Sequence, residues 1–464
     1  MIPQTTVPTV STRQRIFPLH LTPFENYMFL DDRPSHPMTF VIQLVFSGDL
    51  NVEAFEEAFR FALSRHPLLS AVIQPAKQNR DCWVSAGDLQ PKLDFGGLDD
   101  PITFDSGEYI DLRREVGLRI WIRSDKQRAV VTSQFHHATC DGIGANQFLG
   151  DLLWSYASRT GGETVKEPIQ LDPGRLRARW RASYSVADFR SASGRIQTAW
   201  GETAKLLFKP ATSLKPPSAR SKSHGLASHA FPGVESYKFD QTETCRLRQA
   251  AHNRGQSTNE LLLEKLFQTL AHWNRRRGAF PSPRSICVMM PLNMRQGEDN
   301  LIPAANIVSF AFLRRSRSAI DDPELLRASL RQEAEQVKRD RHRLRFTHVL
   351  AASQYLHPKL LRASLRFSGC MSTAVMSNSG DPGRSFYVEF PRHHGVIRCG
   401  NLKLEDISRI PPLRPKTRVT VSTFTYGRIL KICMRCDPHL FSLGDTQDLL
   451  NAMVRYTRED VLSS

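Results

Sequence analysis

The junction around residue 140 limits what this chain can fold into more than any other stretch. Ala129–Phe135 alternates like a strand, Asn146–Trp154 spaces its apolar residues like a helix, and a short turn joins them. A strand delivered through a turn into a helix builds a mixed α/β layer. The turn holds His136, His137, Ala138, Thr139, Cys140, Asp141 and Gly142. Turns at strand ends are where a rigid scaffold presents chemistry to a cleft.

The rest of the first half supports such a layer. Thr22-Pro23 places a cap residue before a proline, the start of a short helix. Phe40–Phe46 reads as a strand, broken by Ser47-Gly48-Asp49. Val52–Leu63 carries apolar residues at 55, 58, 59, 62 and 63, one face of a helix that Pro67 stops. Leu68–Ile73 and Leu118–Arg123 are expected as further strands.

The second half repeats the theme. Ser257 and Glu260 fit a capping box before a helix over Leu261–Trp273. Ile286–Met290 and Asn306–Phe312 read as strands, and Pro323 opens a charged helix to about Arg345. Val375–Gly380 ends a strand in a turn. Arg418–Thr425 and Arg428–Met434 form a hairpin about Tyr426-Gly427, and Thr446–Tyr456 is a final helix.

With 464 residues the chain exceeds one ordinary domain. The expected division is an N-terminal lobe over 13–172, a basic connecting segment over 173–235 and a C-terminal lobe over 236–464. Eight thinly scattered cysteines argue against a disulfide scaffold and for a reducing compartment. Cys433 and Cys436 have half-site spacing but lie in a strand-like run without a second pair, which favours a structural reading. No secretory signal is visible and no apolar run reaches the roughly 20 residues of a membrane span, so a cytoplasmic protein is expected.

A formal net charge of +17 favours an anionic partner: nucleic acid, lipid headgroups or a phosphate-rich co-substrate. No nucleic-acid-binding motif accompanies it, and none is expected to bind. Residues 174–222 set eleven Lys and Arg against two carboxylates, with Trp180, Trp200 and Phe208 interleaved. This is either a solvated connecting helix or a basic amphipathic helix in peripheral contact with an anionic membrane.

His137 has the pKa range of a general base at neutral pH, and Asp141 either faces the imidazole or fastens the loop. Zinc is a rival reading, because His136, His137, Cys140 and Asp141 all can ligate it. Adjacent residues at a strand end point to opposite faces, so the two histidines are poorly placed to share one ion, and no metal is expected.

The string His136–Gly142 resembles the active-site motif (His-His-x-x-x-Asp-Gly) of the CoA-dependent acyltransferase superfamily. That group includes chloramphenicol acetyltransferase, plant acyltransferases, condensation domains of nonribosomal peptide synthetases and bacterial wax ester synthase/diacylglycerol acyltransferases. Met28-Phe29-Leu30 with His36-Pro37-Met38 is similar to the opening of the wax ester synthase group, and Leu63–Leu69 to the end of the superfamily's first helix. Pro291–Arg295 and Asn306 resemble its Pro-x-x-x-Arg strand and following Asn. The Asp-Phe-Gly-Trp-Gly motif of the plant enzymes is absent, and Ser377–Gly383 is only a loose counterpart of the wax ester group's Asn-x-Pro-Gly-Pro.

The resemblance implies two chloramphenicol-acetyltransferase-like lobes, each a mixed sheet flanked by helices, with an active-site tunnel between them. It implies His137 as general base and Asp141 as the carboxylate that orients the loop, with Arg295 its candidate ion-pair partner. His136, Gly142 and Asn293 are expected as structural support, the glycine easing the passage into the helix. Ser377 and Asn378 are candidates for the oxyanion donor or the tunnel wall. Acyl-CoA is the implied co-substrate, with an alcohol or amine acceptor and no permanently bound cofactor. The alternatives are a condensation-type enzyme fed by an acyl carrier protein, and a relative that binds without catalysis.

Overall fold

A computed structural model describes residues 16–76, 81–104, 107–161, 166–180, 210–217, 231–278, 284–339, 345–353, 357–367 and 369–462. The first half supplies β1 (Leu19–His20), α1 (Pro23–Asp31), β2 (Thr39–Ser47), α2 (Val52–Arg65), β3 (Ala71–Pro75), β4 (Asp81–Ser85), β5 (Lys92–Gly96), β6 (Leu118–Ser124), β7 (Arg128–His136) and α3 (Gly142–Thr160). After the connecting segment come β8 (Glu235–Lys238), α4 (Gln241–Asn253), α5 (Thr258–Arg276), β9 (Ser285–Asn293), β10 (Val308–Ser316), α6 (Arg317–Asp321), α7 (Pro323–Arg339), α8 (Arg345–Ser353) and α9 (Pro358–Phe367). The chain ends with β11 (Ala374–Asn378), β12 (Arg392–His393), β13 (Val396–Cys399), β14 (Leu402–Ile410), β15 (Val419–Tyr426), β16 (Ile429–Cys436) and α10 (Leu443–Leu462).

Local signals set these elements. Thr22 caps α1 in a capping box with Glu25, and Ser257 does the same for α5 with Glu260. Pro67–Ser70 forms a short 3-10 turn where a strand was expected, so β3 starts at Ala71. Proline at the first position of that turn fixes a helical φ and removes a ladder donor. α7 is described as far as Arg339, and residues 340–344 of its expected continuation lie outside the described residues.

Two large mixed sheets result. The first runs β12-β13-β14-β2-β7-β6-β5 and the second β10-β9-β11-β15-β16-β8; β1-β4-β3 form a small third sheet. α2 and α3 pack on the first sheet around Phe55, Phe135, Phe148 and Leu152. α4, α5 and α10 cover one face of the second around Leu266, Phe267, Ile432 and Met453. A third cluster holds Phe24, Tyr27, Met289, Phe310, Phe346 and Val375, residues from both halves of the chain.

The sheets do not follow the linear division of the chain. β14 pairs antiparallel with β2, Leu404 opposite Phe46 and Ile410 opposite Val41. Residues 392–410 therefore complete the N-terminal sheet although they lie in the C-terminal part of the sequence. Most of the basic segment, 181–209 and 218–230, lies outside the described residues, and the membrane-helix expectation with it. One of its arginines is buried: Arg179 pairs with Glu25 at 2.6 Å, and Glu25 also accepts from Trp83 Nε1. Cys433 and Cys436 sit three residues apart on β16, one in the first cluster and one in the second, so their thiols face opposite sides of the sheet. Among the described residues no helix is long and apolar enough to cross a membrane.

Candidate active site

β7 ends at His136, which pairs with Thr39 of β2. The turn then reverses the two imidazoles, as strand alternation predicts. His136 is fully buried. Its Nδ1 accepts from the Ala138 N–H at 3.0 Å, which leaves the proton on Nε2, 3.1 Å from Asp32. That contact has ion-pair distance without hydrogen-bond alignment. Asp32 also accepts from the Met38 N–H, and the Met38 carbonyl accepts from the His137 N–H at 2.7 Å. His136 thus anchors the strand end on which His137 stands.

His137 lies between the rings of Phe24 and Phe40, with centroids 5.9 and 5.2 Å away. Burial pulls its pKa below the ordinary histidine value, although its own carbonyl, Asp141 and the Asn306 side chain pull the other way. The imidazole is therefore neutral at physiological pH. Its Nδ1 is buried while the residue keeps partial exposure, so the reachable ring nitrogen is Nε2. Asn306 donates from Nδ2 to the Ala138 carbonyl at 2.8 Å, bracing the turn from the other half of the chain.

Asp141 caps α3, accepting from the Ile143 and Gly144 N–H groups. It also accepts from Arg295, Nη1 to one carboxylate oxygen at 2.8 Å and Nη2 to the other at 3.0 Å, and from the Ile307 N–H at 2.9 Å. Burial alone raises its carboxyl pKa; Arg295 and the backbone donors outweigh that and hold it below the usual carboxylate range. The carboxylate fastens the loop rather than touching the imidazole. Asn293 supports this arrangement: its side-chain oxygen accepts from the Arg295 N–H at 3.0 Å.

Gly142 departs from expectation. It has no positive φ, and a Cβ there meets nothing within 4 Å, so neither backbone nor packing demands glycine. Two later glycines are tightly packed instead. A Cβ on Gly144 falls 2.9 Å from the Ala305 nitrogen, and one on Gly150 runs into the Phe386 carbonyl. They let α3 lie against backbone from the second half. The small-residue positions 142, 144, 145 and 150 on one helix were the available sequence signal.

Ser377 shares the face of Val375, the face of β11 that packs with Phe24 and Phe310. Asn378 points the other way, donating from Nδ2 to Asn259 at the start of α5. An oxyanion or tunnel role at the His137 side is open to Ser377 but not to Asn378 as placed, because side chains alternate along a strand. Sequence reading also missed a clasp behind the site. His66 accepts from the Ala304 N–H at 2.9 Å, and its other ring nitrogen faces Asp151 of α3 at 3.0 Å. A buried carboxylate in the apolar run of α3 was the signal. Cys140 is fully buried in the first cluster.

No family model matches the chain. An uncharacterized protein of Mycobacterium tuberculosis is 24% identical over 285 residues, 60% of this chain and 62% of its own length. This chain thus spans under two thirds of that relative. The first condensation domain of the calcium-dependent antibiotic synthetase superposes with a TM-score of 0.69 at 16% identity, covering 96% of each chain. The trichothecene 15-O-acetyltransferase TRI3 of Fusarium sporotrichioides gives 0.66 at 14% identity over 94% of each chain. The starter condensation domain of rhizomide synthetase, solved with C8-CoA and Leu-SNAC, gives 0.61 at 12% identity, over 96% of this chain and 94% of that one. The fold is that of CoA-dependent acyltransferases and condensation domains. At these identities the likeness is one of fold, and the chemistry has to be argued from the site.

Proposed function

We propose that the chain is an acyltransferase that moves an acyl group from a thioester, acyl-CoA in the first instance, to a hydroxyl or amine acceptor. The observation that carries this reading is His137: a neutral imidazole with its Nδ1 buried, held at the meeting of the two halves by Met38 and braced by Asn306. In the reaction Nε2 takes the acceptor's proton as its oxygen or nitrogen bonds to the thioester carbonyl carbon. The C–S bond then breaks, and the imidazolium returns the proton to the leaving thiolate. Ser377 is the candidate donor to the oxyanion. Asp141 and Arg295 act as positioning residues. Cytoplasmic placement and peripheral contact with an anionic membrane belong to the same reading.

A carrier-tethered donor is the second reading, favoured by the likeness of fold to a condensation domain over 96% of each chain. The test is release of free thiol from acetyl-, octanoyl- and palmitoyl-CoA against a panel of alcohols, amines and diacylglycerol, with His137→Ala beside the wild type. Acceptor-dependent release should fall by about 10²–10⁴-fold in the variant, the span of a lost general base. An equal rate in the variant would remove His137 from the chemistry. No release from any CoA donor would turn the reading to a carrier-bound one.

A further inference from the structure

α9 carries the two most exposed large apolar side chains among the described residues, Leu360 at 64% and Phe367 at 85% exposure. They stand seven residues apart, two turns of helix, and so form one outward ridge about 10 Å long. Lys359 and Arg366 repeat that spacing about a quarter-turn round the helix, and Arg362 lies just beyond them. All three cations are exposed, and none has a carboxylate partner among the described residues. α9 itself contains no acidic residue. A single exposed leucine needs no explanation, but two large apolar groups on one line beside three unopposed cations make a surface of one chemical kind.

The inner side of the same helix leads to the candidate active site. Leu361 is buried and Leu365 half-buried, both in the third cluster with Phe24, whose ring centroid is 5.9 Å from that of His137. α9 also packs on α1, the helix that carries Phe24. Arg362 lies within electrostatic reach of Tyr109, whose hydroxyl hydrogen-bonds Asp32, and Asp32 stands 3.1 Å from His136. One side of α9 therefore meets water while the other backs the surroundings of the two histidines.

We propose that α9 docks the protein on an anionic membrane surface, with Leu360 and Phe367 sunk among the lipid chains and Lys359, Arg362 and Arg366 at the headgroups. Helices that lie in a bilayer interface place Phe and Leu on one side and let Lys and Arg reach the headgroup level. Each cation near an anionic leaflet strengthens such binding about fivefold. Nucleic acid would engage the cations but leave the apolar ridge in water. This surface is distinct from residues 174–222, where the sequence alone suggested a membrane contact. Docking through α9 places the third cluster one helix away from lipid, where an apolar acceptor is dissolved. That purpose rests on the acyltransferase reading; the docking does not.

The experiment sediments the full chain with vesicles of phosphatidylcholine alone and of equal parts phosphatidylcholine and phosphatidylglycerol. Two variants run beside the wild type: Leu360→Ser with Phe367→Ser, and Lys359→Gln with Arg362→Gln and Arg366→Gln. All five side chains are exposed, and equal melting temperatures verify the fold. The wild type should bind the phosphatidylglycerol vesicles in preference to the neutral ones. The ridge variant should bind them at least tenfold more weakly, and the cation variant about 10²-fold more weakly. No binding by the wild type, equal binding to neutral vesicles, or unchanged binding in either variant overturns the proposal; a loss confined to the cation variant would mark a general polyanion surface instead. In turnover, the ridge variant should acylate diacylglycerol held in the vesicles about tenfold more slowly, and a short water-soluble alcohol as before. Equal losses on both acceptors would make α9 a support of the site and overturn the docking. A wild type that binds vesicles through α9 yet acylates neither acceptor would sink the acyltransferase reading and leave the docking standing.

Discussion

Asp141 accepts from the Ile143, Gly144 and Ile307 N–H groups and from both terminal nitrogens of Arg295, so this carboxylate has every lone pair directed at a donor. Arg295→Ala leaves it buried with no counter-charge, and stability in urea melts should fall by about 3–5 kcal/mol. The pH dependence follows from the lowered carboxyl pKa. The stabilisation is complete above the ordinary carboxylate pKa and is lost as pH falls through the lower folded value. The rate through His137 has the same sign, lost as pH falls. Its pKa lies below the ordinary 6.5, so kcat/KM should be level at neutral pH and fall only under mildly acid conditions. A pH–rate profile whose acid limb sits above 6.5 would contradict a desolvated base.

Among the elements, α3 gathers groups from both halves. Its amino end is fixed by Asp141, its Asp151 engages His66, and its glycines admit backbone from residues 304–305 and 386. Two alanine substitutions separate these roles. Gly150→Ala drives a methyl into the Phe386 carbonyl and should cost about 1–3 kcal/mol, the range of an overpacked core. Gly142→Ala meets open space and should shift stability by less than about 0.5 kcal/mol. Chemical denaturation of both variants checks the pair, and equal losses would mean that α3 does not approach Phe386 as described.

For the whole molecule, the decisive feature is β14 crossing to the N-terminal sheet. Without it β2 becomes an edge carrying Leu44 and Phe46, an invitation to aggregation. A fragment ending at residue 235 should therefore be insoluble or unfold without cooperativity. The full chain should lose tryptophan fluorescence and far-UV circular dichroism in one coincident transition. A soluble, cooperatively folded fragment would show that the N-terminal lobe stands without β12–β14.

The sequence by itself determined what short-range chemistry can write. Alternation marked β7, a β-branched and aromatic run marked β2, a hairpin signal marked β15, caps marked the starts of α1 and α5, and the strand–turn–helix string around His137 marked the site. The tertiary structure alone decided which distant groups meet. Arg295 and Asp141, 154 residues apart, were paired in advance only by the family resemblance and not by local pattern, and Lys403 of β14 lies opposite Ser47 of β2. Asn378 turns toward α5, and glycine proves to matter at 144 and 150 rather than at 142. Periodicity and caps act over one or two turns of chain and leave local patterns. Long-range pairing is chosen by closing large loops onto complementary surfaces, which no neighbouring residues encode.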